Sequence, residues 1–146
     1  GKALQLAPES GAHLNNYGTF LCRTGKYQEA DAFFVKATQD VHYVNTALAY
    51  ENAGLCAENF GDKIKSAAYF EKALIQDSQR KQSLYELVHM YLQQDQLEQA
   101  LQWLQKYPDT SFADPACLAL AVEVSQRLGK EDLLTLYKSR LKNIII

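Results

Sequence analysis

Apolar side chains along this 146-residue chain return every three or four residues, the spacing of a buried helical face. No stretch alternates apolar and polar one by one, as a half-buried strand would. The pattern is clearest around Asn15 to Ala37, where Leu14, Tyr17 and Leu21 precede a break at Gly25 and Ala30, Phe33, Phe34 and Ala37 follow it. Small residues (Gly18, Ala30, Ala37) fall where two helices would touch, and large ones fill the space between. The stretch therefore predicts a helical hairpin, with helices over 12–23 and 27–39. Continued along the chain, the same pattern predicts helices over 44–60, 63–75, from a cap at Asp77 or Ser78 to 94, over 97–107, 115–128 and 130–142. Pro108-Asp109-Thr110-Ser111 reads as a loop. Asp114-Pro115 reads as a helix start, an N-cap acid followed by Pro at the first helical position.

The hairpin recurs. Counted from Gly11, its key positions are Leu14, Tyr17, Gly18, Leu21, Ala30, Phe34 and Ala37. A matching set begins at Ala47 (Tyr50, Ala53, Gly54, Ala57, Ser66, Phe70, Ala73) and another at Lys81 (Leu84, Leu87, Val88, Tyr91, Ala100, Leu104, Tyr107). A fourth begins at Pro115 with Leu118, Ala121 and Val122, but Lys138 takes the place of the usual aromatic. The starts lie 36, 34 and 34 residues apart (47−11, 81−47, 115−81), the roughly 34-residue period of tetratricopeptide (TPR) repeats. The expected fold is all-α, a TPR solenoid of antiparallel helix pairs in a right-handed superhelix, forming one domain over 1–146. Within it, 1–8 would end a truncated preceding repeat, 11–44, 47–80 and 81–114 would be repeats, and 115–143 a degenerate C-terminal pair. Because it opens within a repeat and lacks an initiator Met, the chain reads as a fragment or processed product. Ile144-Ile145-Ile146 is an apolar tail where a solenoid ordinarily ends in a polar cap. It is expected to cover the open core edge, with a protein contact as the sharper alternative.

Composition narrows the partners. Fifteen Lys and Arg against seventeen Asp and Glu give a net charge of −2, which carries no electrostatic footprint for nucleic acid or an anionic membrane surface. No run approaches the roughly 18–20 apolar residues that span a bilayer. The three cysteines, Cys22, Cys56 and Cys117, have neither CxxC nor Cys/His ligand spacing, which argues against structural zinc. Cys22 and Cys56 fall on first helices of adjacent repeats, so a disulfide is geometrically open to them; burial as two small hydrophobes is the plainer alternative. Cys117 is expected to be a free thiol.

Catalysis would need convergent polar groups. His13, His42 and His89 lie in different repeats, and none pairs with Glu at metal-binding helical spacing. There is no GxSxG and no Gly-rich phosphate loop, so neither a reaction, a metal nor a cofactor is expected. Stacked hairpins instead present a concave surface from their first helices that holds peptides or partner helices. The residues expected to line it are Asn15, Thr19, Cys22 and Arg23 in the first repeat. In the second they are Leu48, Glu51, Leu55, Glu58 and Asn59, and in the third Gln82, Tyr85, His89, Leu92 and Gln93. The apolar members suit an amphipathic peptide, and the Lys/Arg clamp used to grip acidic peptide C-termini is missing. An ordinary solvated helix face is the competing account of each residue.

One string is more specific than the repeat. Asn15-Asn16-Tyr17-Gly18-Thr19-Phe20-Leu21-Cys22 resembles the type IV pilus biogenesis and stability lipoproteins of the PilF/PilW family. The preceding ALQLAP, the segment Glu51-Asn52-Ala53-Gly54-Leu55-Cys56 and the closing helix pair agree with that resemblance. The resemblance implies a periplasmic protein held at the inner leaflet of the outer membrane through a lipidated Cys upstream of Gly1. It implies a Cys22–Cys56 disulfide, which an oxidising periplasm permits. It also implies a non-catalytic adaptor that assists secretin assembly or localisation, a pilotin, or that stabilises the pilus. Its partner would be a secretin subunit or another pilus-assembly protein. A generic TPR scaffold or co-chaperone-like adaptor is the alternative.

Overall fold

Four tight turns carry the repeat into three dimensions. The backbone is left-handed at Gly25 (φ 83°), Gly61 (φ 90°), Asp95 (φ 62°) and Gly129 (φ 70°), positions spaced 36, 34 and 34 residues apart. Each closes a first helix in the same way. The next N–H reaches back five residues, from Lys26 to Leu21, Asp62 to Ala57, Gln96 to Tyr91 and Lys130 to Ser125, at 2.9–3.0 Å. That bond satisfies a terminal carbonyl the helix leaves without a partner. Glycine takes the conformation freely at three of the turns, and Asp95 supplies it at the fourth, aspartate being among the few other residues that tolerate it.

The computed structural model describes residues 10–145, without the side chain of Ile145; the expected end of a preceding repeat at 1–8 lies outside them. Among the described residues are nine helices: α1 Gly11–Arg23, α2 Tyr27–Gln39, α3 Thr46–Phe60, α4 Lys63–Gln76, α5 Lys81–Gln93, α6 Leu97–Lys106, α7 Pro108–Ala113, α8 Pro115–Arg127 and α9 Glu131–Ile145. They fall into two compact units, Gly1–Gln76 and Asp77–Ile146.

In the first unit α1 packs on α2, α2 on α3 and α3 on α4, with α1 and α3 also side by side. Ser10 caps α1 by accepting from the His13 N–H. The interior is built from Leu21, Ala30, Phe34, Ala53, Cys56 and Tyr69, with Leu14, Ala37 and Ala49 forming a second cluster. Close helix contact depends on two glycines. A Cβ on Gly18 would lie 2.8 Å from the ring of Phe34, and one on Gly54 would lie 2.7 Å from that of Phe70.

In the second unit α5 packs on α6, both pack on α8, and α9 packs back on α8. Leu84, Leu87, Val88, Leu104, Leu118 and Ala121 are fully buried. Asp114 caps α8 by accepting from the Cys117 N–H, with Pro115 at the first helical position. Three expectations need correction here. Pro108 to Ser111 is not a loop but the start of α7, because Pro108 presets the first turn and the Ser111 hydroxyl donates to the Leu104 and Pro108 carbonyls. Neither Asp77 nor Ser78 caps the next helix. Asp77 spends its carboxylate on the Gln79 N–H, and α5 starts four residues later behind Arg80 without a side-chain cap. In α9 the aromatic shifts by one place: Lys138 is exposed while Tyr137 is 2% exposed and packs 5.5 Å from the Phe112 ring. Of the apolar tail expected over the core edge, Ile144 is exposed, and the Ile145 side chain and Ile146 lie outside the described residues.

Candidate functional site

The first-helix faces hold the residues expected to bind a partner. In the first unit Asn15, Thr19 and Arg23 sit on α1, and Leu48, Glu51, Leu55, Glu58 and Asn59 on α3. Arg23 and Asn59 are exposed, and Thr19, Leu48, Leu55 and Glu58 are half-buried. Asn15 and Glu51 are buried, which corrects the expectation that they are open to a partner. Asn15 is turned inward by its own bonding. Its side-chain oxygen accepts from Asn52 Nδ2 at 3.1 Å, and its amide bonds the Tyr43 phenol. The Thr19 hydroxyl donates to the Asn15 carbonyl at 3.0 Å. Burial pushes the Tyr43 phenol up, partly offset by the Asn15 bond.

Cys22 and Cys56 are disulfide-bonded, with Cα atoms 5.9 Å apart. The bond ties α1 to α3 directly, fixing the spacing of the two first helices that carry this face. Cys117 is a buried free thiol whose ionisation burial strongly disfavours, the bond with Asp114 adding to the effect.

In the second unit Tyr85 and His89 lie half-buried one turn apart on α5, their rings stacked at 5.7 Å and 8°. Gln82 and Gln93 are exposed, and Gln82 bonds Glu86 at 2.9 Å. Leu92, also expected to be open to a partner, is buried at 6% exposure, since α5 buries residues on several sides, from Ser83 and Leu87 to Met90 and Leu92. The expected positions left exposed or half-buried are therefore Thr19, Arg23, Leu48, Leu55, Glu58 and Asn59 in one unit, with Cys22 taken up in the disulfide, and Gln82, Tyr85, His89 and Gln93 in the other.

Asn52, inside the Glu51-to-Cys56 segment, is a structural partner of Asn15 that the repeat pattern does not mark. Nor does the pattern mark Asp40, which anchors the α2–α3 loop by accepting from Gly11 N at 2.7 Å and His42 N at 3.0 Å. Among the described residues no group of three or more His, Cys, Asp or Glu could hold a metal ion. Among them, too, no helix is long and apolar enough to cross a membrane.

A family model described as tetratricopeptide repeat matches residues 65–122. The crystal structure of PilW, a widely conserved type IV pilus biogenesis factor, superposes with a TM-score of 0.70 at 26% identity, covering 99% of this chain and 71% of PilW's. The type IV pilus assembly protein PilF of Pseudomonas aeruginosa is 24% identical over 143 residues, 98% of this chain. The chain is a TPR protein homologous to PilF. A solved structure of P. aeruginosa PilF shares this TPR protein's fold at a TM-score of 0.74 and 24% identity, over 98% of this chain and 64% of that one. An uncharacterized protein of Haemophilus influenzae is 38% identical over 55 residues, 38% of the chain and 31% of that protein. The TPR protein spans 57% of the length of PilF.

Proposed function

We propose that this TPR protein is a non-catalytic adaptor in type IV pilus biogenesis, binding another pilus-assembly protein through its first-helix faces. The observation that carries the reading is the match to PilW over nearly the whole chain, in fold and at 26% identity. The partner we infer is a subunit of the outer-membrane secretin. Holding an otherwise exposed secretin segment would help the ring assemble or reach its membrane; stabilisation of the pilus is the adjoining role. We place the full-length protein in the periplasm, attached to the outer membrane by a lipid anchor upstream of this chain.

The chemistry of the faces is compatible with this role. Leu48, Leu55 and Tyr85 are apolar or aromatic side chains left half open, the type that anchors an amphipathic segment. In the first unit Arg23, Glu58 and Asn59 add polar groups of both signs to the faces that carry Leu48 and Leu55.

Calorimetric titration of the chain with a soluble secretin subunit tests the contact. Leu55→Ala and Tyr85→Ala should each weaken binding about tenfold, the loss of one anchor side chain. Unchanged binding in both variants would move the contact off these faces.

A further inference from the structure

A cleft of about 200 Å³ opens in the first unit beside its inter-helix turns, lined by none of the first-helix positions assigned above to partner binding. Its floor is made of small side chains of α3, Ala53, Cys56 and Ala57. Two of its walls are aromatic: Tyr27 and Phe60 stack at 5.1 Å, and Phe60 remains 55% exposed.

Its charges are unevenly matched. The lining has two carboxylates, Asp31 and Asp62, against one ammonium, Lys65, a net charge of −1 (1 − 2). Lys65 is already spent, since its Nζ lies 2.9 Å from Asp31, whose other oxygen accepts from the Tyr69 hydroxyl at 2.6 Å. Among the described residues the Asp62 carboxylate accepts only the Lys65 backbone N–H, at 3.1 Å, which fixes it at the head of α4. The hollow beyond Tyr27 is balanced by Lys26 and Glu29, which leaves Lys63 as the further cation on this rim. Lys63 is exposed, and a solvated surface lysine neutralises a neighbour weakly.

We propose that this cleft takes a basic side chain, arginine foremost, of a partner polypeptide. A volume of about 200 Å³ is below the roughly 300–1,000 Å³ of small-molecule sites, and so accommodates a single side chain. Arginine matches each part of the lining. Its methylene stem lies against Ala53 and Ala57, and its guanidinium stacks on the Phe60 ring while pairing with the Asp62 carboxylate. The site is separate from the first-helix faces, and its test is independent of the pilus reading.

The test is an NMR titration of the whole chain with N-acetyl-arginine amide, following the methyl signals of Ala53 and Ala57. The leucine and glutamate counterparts serve as comparisons. Saturable shifts are expected with the arginine probe alone. Asp62→Asn, which keeps the helix cap because Asn caps as well as Asp, should weaken binding about tenfold by removing one charge-assisted bond. Lys63→Ala should leave it unchanged or tighten it. Equal shifts from the leucine probe would make the cleft a plain apolar slot and overturn the proposal. Shifts from the glutamate probe, no saturation with arginine, or an Asp62→Asn variant that binds as before would overturn it too.

Discussion

The ring of Phe70 occupies the space that a side chain on Gly54 would need, with its Cε1 atom 2.7 Å from where a Cβ would stand. Gly18 and Phe34, each 36 residues earlier, repeat the arrangement at 2.8 Å. Both rings are essentially fully buried. A second helix can approach its first this closely only where the first has no side chain.

Gly54→Ala should therefore destabilise the first unit, since either the ring or the helix must shift; overpacking of this kind costs about 1–3 kcal/mol. Urea unfolding measures the loss. Phe70→Leu in the same chain should recover part of it, because residues in direct contact couple in a double-mutant cycle. Additive losses would mean that the two positions do not press on each other.

The Cys22–Cys56 bond spans 34 residues of sequence. Reduction, or Cys22→Ser with Cys56→Ser, should lower stability by about 3–4 kcal/mol, mainly by freeing the unfolded chain. Thiol titration of the denatured, non-reduced protein should find one free thiol, Cys117. A count of three would mean that the bond does not form.

Tyr69 and Asp40 mark the alkaline and acid ends of the response to pH. The Tyr69 phenol is pushed well up by burial and then by its bond to Asp31. A phenol with a raised folded-state pKa contributes stability below its ordinary value of about 10 and loses it as the pH climbs further. Tyr69→Phe should cost about 1 kcal/mol at neutral pH through the lost hydrogen bond and should flatten the alkaline decline. Asp40 lies at the other end. The His42 and Gly11 N–H groups hold its carboxyl below the usual carboxylate range, so its contribution is present above about pH 4 and disappears in acid. Thermal melts of Asp40→Asn against the parent chain should converge as the pH falls.

The fold was legible where spacing alone decides it. Gly18 with Phe34 and Gly54 with Phe70 are visible as a small and a large residue at fixed separation, and four turns follow the same count. What escaped depends on contacts between segments far apart in sequence. Asn15 sits at a position expected to face a partner, yet Asn52, 37 residues away, and Tyr43 draw its amide inward. Pro108-Asp109-Thr110-Ser111 has the composition of a loop, but the Thr110 hydroxyl reaches the Ser78 carbonyl and Ser111 reaches Leu104, which holds the segment helical. The arginine-sized cleft has no sequence signature, because Tyr27, Asp31, Phe60 and Asp62 come together only when the first two hairpins pack.

The most direct test of the adaptor account is deletion of the gene in its source cell, followed by electrophoresis that preserves detergent-resistant secretin multimers. The account predicts that multimers are lost while the secretin monomer remains, and that the restored gene brings them back. Normal multimers at normal levels would contradict a role in secretin assembly.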